Sequence, residues 1–133
     1  MKLNKRIIGI GLVAVAVVGL VACARGGRGG SAADSKVRAA IITDSAGVDD
    51  KSFNQSAWEG LQAWGKANKL EKDSGYTYFQ SNSESDFATN LSSAVDQNYN
   101  IIFGVSFRLH DAISESAKDN EKINYVIIDD VLK

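Results

Sequence analysis

The sequence predicts an α/β domain built on a parallel sheet, and three observations carry that reading. Four short apolar runs, at 37–42, 76–80, 101–105 and 125–128, are separated by segments with helical periodicity. Strand and helix alternate in chain order, which builds right-handed βαβ units. Polar residues follow each run directly, and that is where an open parallel sheet holds its ligands.

The elements follow in order. The run 37–42 (VRAAII) is short and mostly apolar, suited to a strand buried on both faces. Residues 44–52 form a polar loop. A helix is predicted from Phe53 to about Asn68. Ser52 and Gln55 match a capping box at its start, and Phe53, Ala57, Leu61 and Trp64 recur on one face. A second strand covers 76–80, after Gly75. Ser83 is the expected cap of a second helix reaching about Gln97, with Phe87, Leu91, Ala94 and Val95 turned inward. A third strand covers 101–105, a third helix runs from Leu109 to about Asn120, and a fourth strand covers 125–128. The sequence shows neither an internal repeat nor a coiled-coil heptad.

Ahead of this body lies a different kind of sequence. Lys2, Lys5 and Arg6 precede an uncharged apolar run at 7–21. Its fifteen residues fall short of the roughly 20 that a membrane-crossing helix needs, and fit the core of a secretory signal. Leu20, Val21, Ala22 and Cys23 then resemble the lipobox of bacterial lipoproteins. The resemblance implies a signal peptide at 1–22, cleavage before Cys23, and a lipid on its thiol that tethers the chain to the extracytoplasmic face of the cell membrane. Cys23 is the only cysteine, so no internal disulfide can form. Residues 25–35 (RGGRGGSAADS) hold no large apolar side chain and read as a flexible tether. The expected organisation is therefore signal peptide 1–22, lipidated cysteine and tether 23–35, and folded lobe 36–133.

Charge and residue inventory narrow the function. Loss of Lys2, Lys5 and Arg6 with the leader takes the basic count from 15 to 12 against 16 acidic side chains, a net charge of −4. That is a mildly acidic body and not a nucleic-acid binder. His110 is the only histidine and has no nearby Cys or His partner in the sequence, which argues against a metal site or a catalytic base. The acid pairs Asp49-Asp50 and Asp129-Asp130 can imitate a magnesium pocket. However, no nucleophile–base order, phosphate-cradling glycine loop or zinc spacing accompanies them. The reading is a non-enzyme without a cofactor.

Residues 43–55 (TDSAGVDDKSFNQ), followed by 56–60 (SAWEG), resemble the signature of the basic-membrane-protein family, the purine-nucleoside-binding lipoproteins of ABC importers. The stretches 101–107 (IIFGVSF), ahead of Asp111-Ala112, and 125–129 (YVIID) also fit. The resemblance implies a Rossmann-like lobe of a type I periplasmic-binding-protein fold. It also implies a nucleoside ligand and ABC permease subunits as partners. It makes Phe53 the aromatic that stacks on the base and Asp44 an acceptor of hydrogen bonds from the ligand. Asn54 can offer a donor and an acceptor together to a base edge. Ser106 and Phe107 leave the third strand where they can wall the same pocket, and Asp129 ends the fourth. Asp49 and Asp50 also read as carboxylates favoured by a helix N-terminus. Two departures stand out. Ala46 and Ser106 both occupy positions where the family commonly has glycine, and alanine in a left-handed conformation costs roughly 1 kcal/mol.

The family is similar to two-lobed proteins that hold ligand between lobes. This chain is accordingly expected to be an N-terminal lobe without its second lobe, and to bind ligand weakly or not at all alone. A sugar or other small metabolite on the same fold, or a surface interaction protein without ligand, remain as alternatives. The choice between purine and pyrimidine stays open.

Overall fold

Four parallel strands form the centre of the computed structural model, which describes residues 37–132. The signal peptide, Cys23 and tether expectations lie outside the described residues. The strands are β1 (Ala39–Ile42), β2 (Tyr76–Phe79), β3 (Ile101–Val105) and β4 (Asn124–Ile128). The helices are α1 (Phe53–Ala67), α2 (Phe87–Asp96) and α3 (His110–Asp119). They alternate β1-α1-β2-α2-β3-α3-β4, as the sequence predicts, and the sheet order is β2-β1-β3-β4 with every pair parallel. No helix among the described residues is long and apolar enough to cross a membrane.

β1 is buried at all four positions because helices cover both faces of the sheet. Ala39 and Ile41 pack with Trp58 and Leu61 of α1 and with Val105. Ala40 and Ile42 pack with Phe87, Leu91 and Ala94 of α2, with Leu109, and with Ile113 of α3. Burying one such aliphatic side chain stabilises the fold by about 1.5–3 kcal/mol. Val37 and Arg38 fall outside the strand. Arg38 instead pins the sheet's lower edge. Its Nε donates to the Ser74 carbonyl at 2.5 Å and its Nη1 to the Gln97 carbonyl at 2.7 Å, and its guanidinium lies 4.7 Å from the Tyr99 ring centroid.

The helix starts differ in detail from the sequence reading. The Ser52–Gln55 capping box does not form. Gln55 donates its side-chain N–H to Glu59 at 2.8 Å, and Asp50 caps α1 in its place. α2 and α3 each begin with a single 3₁₀ turn, at Glu84–Asp86 and Phe107–Leu109. Asp86 accepts the backbone N–H groups of Asn82 and Ser83 at 2.8 and 3.2 Å, which fixes the first of these turns. Phe87, Leu91 and Ala94 are buried and Val95 is half-buried, as their spacing requires. Phe53 departs from the apolar face on which its spacing placed it: the residue is 56% exposed.

Candidate functional site

The strand order reverses between β1 and β3. From β1 the chain crosses outward to β2, then returns past β1 to reach β3. α1 lies on one face of the sheet, and α2 and α3 lie on the other. The loops leaving β1 and β3 therefore diverge and open a crevice at the strands' carboxyl ends. Ile42 is paired with Gly104, so the loop that starts at Thr43 and Asp44 emerges beside Val105 and Ser106.

The β1–α1 loop is held by its own side chains. Buried Thr43 accepts the Ser81 N–H at 3.3 Å and donates to the Asp44 carbonyl at 2.9 Å, which joins the exits of β1 and β2. Asp44 Oδ1 accepts the Ala46 N–H at 3.0 Å and the Asn54 Nδ2 at 2.9 Å. Asp50 accepts four bonds. Its Oδ1 takes the Ser52 and Gln55 N–H groups at 2.7 and 3.0 Å, and its Oδ2 takes the Asn54 N–H and Nδ2 at 3.1 and 2.8 Å. The loop thus ends in a carboxylate facing the free N–H groups of α1, a favourable use of the helix N-terminus.

These bonds set the charge of Asp50. Burial pushes its carboxyl up, but the N–H groups of Gln55 and Ser52 and both donors of Asn54 outweigh burial and hold it below its ordinary value of 3.8. The Thr77 hydroxyl does the same for Asp73, against burial and with help from Lys72. A carboxylate whose pKa is depressed by folding stabilises the fold above its unfolded value and loses that contribution as pH falls through the folded one. The thermal midpoint is therefore expected to drop as pH falls below about 4, with a shallower drop in Asp50→Asn. Circular dichroism melts at stepped pH check this, and a midpoint unchanged between about pH 5 and 3 would contradict it.

Backbone conformation corrects one sequence expectation and explains another. Ala46 does not adopt positive φ. Gly47 does, at +72°, and so does Lys51, at +55°, so the expected strain at Ala46 is absent. Ser106 has φ +106° and ψ 139°, a region that glycine enters far more easily. Its hydroxyl accepts the Arg108 N–H at 3.3 Å and so caps the turn that follows. Ser106→Ala loses that cap and keeps the strain, at an expected cost of about 1 kcal/mol. Ser106→Gly loses the cap but relieves the strain, and is expected to equal or exceed the parent. Urea unfolding of the two variants tests this order.

The structure joins Asp44 directly to Asn54 and places Ser106 on the neighbouring strand exit. Phe53 opens α1 on one side of the crevice. Phe107, 61% exposed, begins the turn that leads into α3 on the other. Asp129 stands apart, exposed at φ +70° at the end of edge strand β4, two strands from β1. The neighbouring Asp130 accepts from the Val131 N–H and lies 2.6 Å from His110 Nδ1. Trp58 is buried and Trp64 half-buried, so both serve the core. Asp50 takes the helix-end place that the sequence offered it, and its bond to the Asn54 side chain is what sequence reasoning missed. Its spacing of two, four and five residues ahead of Ser52, Asn54 and Gln55 was the available signal. No group of three or more His, Cys, Asp or Glu residues placed to hold a metal ion occurs among the described residues.

This arrangement offers two exposed aromatic rings and a half-buried carboxylate at one crevice, with no nucleophile poised against a base. Such groups can stack on a flat apolar face and accept hydrogen bonds. Residues 36–133 match the family described as ABC transporter substrate-binding protein PnrA-like. The chain is 52% identical over 134 residues to the ABC transporter nucleoside-binding protein BmpA of Lactococcus lactis, an alignment that covers 98% of this chain and 38% of that protein. The chain thus spans 38% of the length of that relative. A crystal structure of a putative lipoprotein fragment from Peptoclostridium difficile superposes with a TM-score of 0.63 at 23% identity, over 74% of this chain and 77% of that one. A solute-binding protein of an ABC transporter system from Aeropyrum pernix also gives a TM-score of 0.63, at 17% identity, over 73% of this chain and 25% of that one. At these identities the two structures show the fold alone.

Proposed function

Because this chain belongs to the family of PnrA-like substrate-binding proteins of ABC transporters, which bind and do not catalyse, we propose that residues 36–133 form one wall of a nucleoside site serving import. The observation that carries this reading is the exposed Phe53 at the first position of α1, beside Asn54, which bonds Asp44 at the exit of β1. A phenylalanine on an otherwise amphipathic helix gains nothing from facing water, and a base face gives it a partner. Asp44 accepts hydrogen bonds from the ligand, and Ser106 and Phe107 close the β3 side. Asp129 contributes only if the ligand or a further part of the protein reaches past β4. The Lactococcus lactis relative, described as nucleoside-binding, supports the ligand class. We assign a purine nucleoside because its two fused rings give the larger face for stacking.

The same reading places the protein at the extracytoplasmic face of the membrane, anchored by lipid on Cys23 and delivering ligand to permease subunits. The lipobox pattern at Leu20 to Cys23 supports the anchor. Mass spectrometry of the membrane fraction should find a diacylglyceryl modification on Cys23, and an unmodified thiol there would remove the anchor from the proposal.

Isothermal titration tests the ligand. Inosine, guanosine, uridine and ribose are added to residues 36–133 joined to the remaining sequence of the Lactococcus lactis relative. Preference for inosine and guanosine supports the purine reading. Binding of ribose alone moves the assignment to a sugar receptor, and no binding by a folded chimera points to an interaction protein.

A further inference from the structure

The sequence allowed Asn54 to offer both a donor and an acceptor to a ligand, and the structure removes the donor. Asn54 is 2% exposed. Its Nδ2 carries two hydrogens, and two carboxylates take them: Asp44 Oδ1 at 2.9 Å and Asp50 Oδ2 at 2.8 Å. Ionised carboxylates only accept, so the two bonds together fix which end of the amide is nitrogen. The other end, Oδ1, is buried and has no hydrogen-bond partner among the described residues. Asp44 Oδ1 is shared between Ala46 and Asn54, which leaves Oδ2 of that half-buried carboxylate. Both oxygens of Asp50 are occupied. The unspent polar atoms of this trio of side chains are therefore all acceptors.

We propose that Asp50 is a positioning residue for ligand selection: by holding the Asn54 amide as an acceptor, it makes this wall receptive only to a ligand edge that donates. The inference rests on the nucleoside reading and narrows it. Hypoxanthine and guanine carry a donor at N1, whereas unsubstituted purine carries an acceptor there. An acceptor edge set against Asp44 Oδ2 leaves two lone pairs facing each other with no proton between them. Sites built on buried hydrogen-bonding groups discriminate strongly against such a mismatch. A serine in place of Asp50 keeps an oxygen able to cap α1 but provides no second carboxylate to hold Nδ2. Asp44 Oδ1 alone then holds Nδ2, and the second N–H of the Asn54 amide is released to donate.

The test uses ¹⁵N-labelled residues 36–133 joined to the remaining sequence of the Lactococcus lactis relative, with inosine and purine riboside as probes. In the parent, the two side-chain hydrogens of Asn54 should exchange slowly with water, and inosine should bind about tenfold or more tightly than purine riboside. In Asp50→Ser, whose fold is checked by its melting curve, exchange at Asn54 should become rapid and the preference should shrink to about threefold or less. Asp50→Asn is the second variant, should the serine change unfold the chain. It keeps a capping oxygen and removes the charge, and it should reduce the preference in the same direction. An unchanged preference in a folded variant overturns the proposal. So does rapid exchange at Asn54 in the parent, whatever binds. Failure of both probes to bind a parent whose Asn54 remains protected overturns the proposal through the nucleoside reading, and leaves the amide geometry standing.

Discussion

Phe53→Ala is expected to weaken nucleoside binding about 10- to 100-fold, the consequence of losing one stacked base, while leaving the unfolding midpoint almost unchanged. The separation of the two effects is the point. Phe53 is 56% exposed, so its ring contributes little to the core. Trp58, five residues on, is 8% exposed and packs edge-on against Tyr78 at 4.8 Å between ring centroids. Trp58→Ala is expected to cost about 3–5 kcal/mol of stability, and to reduce binding only through the unfolded fraction. Titration and urea unfolding on both variants, in the chimera with the Lactococcus lactis relative, give the comparison. If Phe53→Ala destabilises the protein as Trp58→Ala does, Phe53 is a core residue and the stacking role fails. If Phe53→Ala changes neither quantity, the ligand sits elsewhere. Phe107→Ala distinguishes a one-sided from a two-sided aromatic site, because that exposed residue lies on the turn leaving β3, the strand next to β1.

The sequence carried the architecture because strand and helix periodicities differ and alternate without interruption. β1 could be read as doubly buried because the run 37–42 (VRAAII) is short and mostly apolar, and its one charged residue, Arg38, falls outside the strand. The helix starts were less legible. Ser52 and Gln55 satisfy a capping box in sequence, but a carboxylate two residues earlier competes for the same N–H groups, and an ionised acceptor makes the stronger bonds. Phe53 shows the limit of periodicity. It falls on the right side for the core, yet it sits at the helix's first position and is left exposed. Asp129 follows the same strand pattern as Asp44, and only the strand order shows that it emerges two strands away. The Asn54 amide was invisible for a related reason: its two acceptors lie four and ten residues earlier in the chain, and only the folded loop brings them together.

The second large effect concerns the strand that delivers Ser106 and Phe107. Gly104 lies in β3, paired with Ile42 on one side and Ile127 on the other. A methyl group added there would collide with Ile113 Cδ1 and come within 3.2 Å of its Cγ1 and 3.5 Å of Leu109 Cβ. Ile113 is fully buried among α2, α3 and β1, so its side chain has no open space to turn into. Gly104→Ala should therefore cost about 1–3 kcal/mol by overpacking, and Ile113→Ala about 2–5 kcal/mol by leaving a cavity. The two changes act on one volume in opposite senses. The double variant should be more stable than the sum of the single losses predicts, with a coupling of about 0.5–3 kcal/mol. Urea unfolding of the three variants measures that coupling, and strict additivity would show that the strand shifts away from α3 instead of pressing on it. The single Gly104→Ala change carries a further consequence for binding. Pressure on Ile113 and Leu109 bears on the start of α3, and Phe107 belongs to the turn that leads into it. Gly104→Ala should then weaken ligand binding beyond its effect on stability, and adding Ile113→Ala should recover part of that loss.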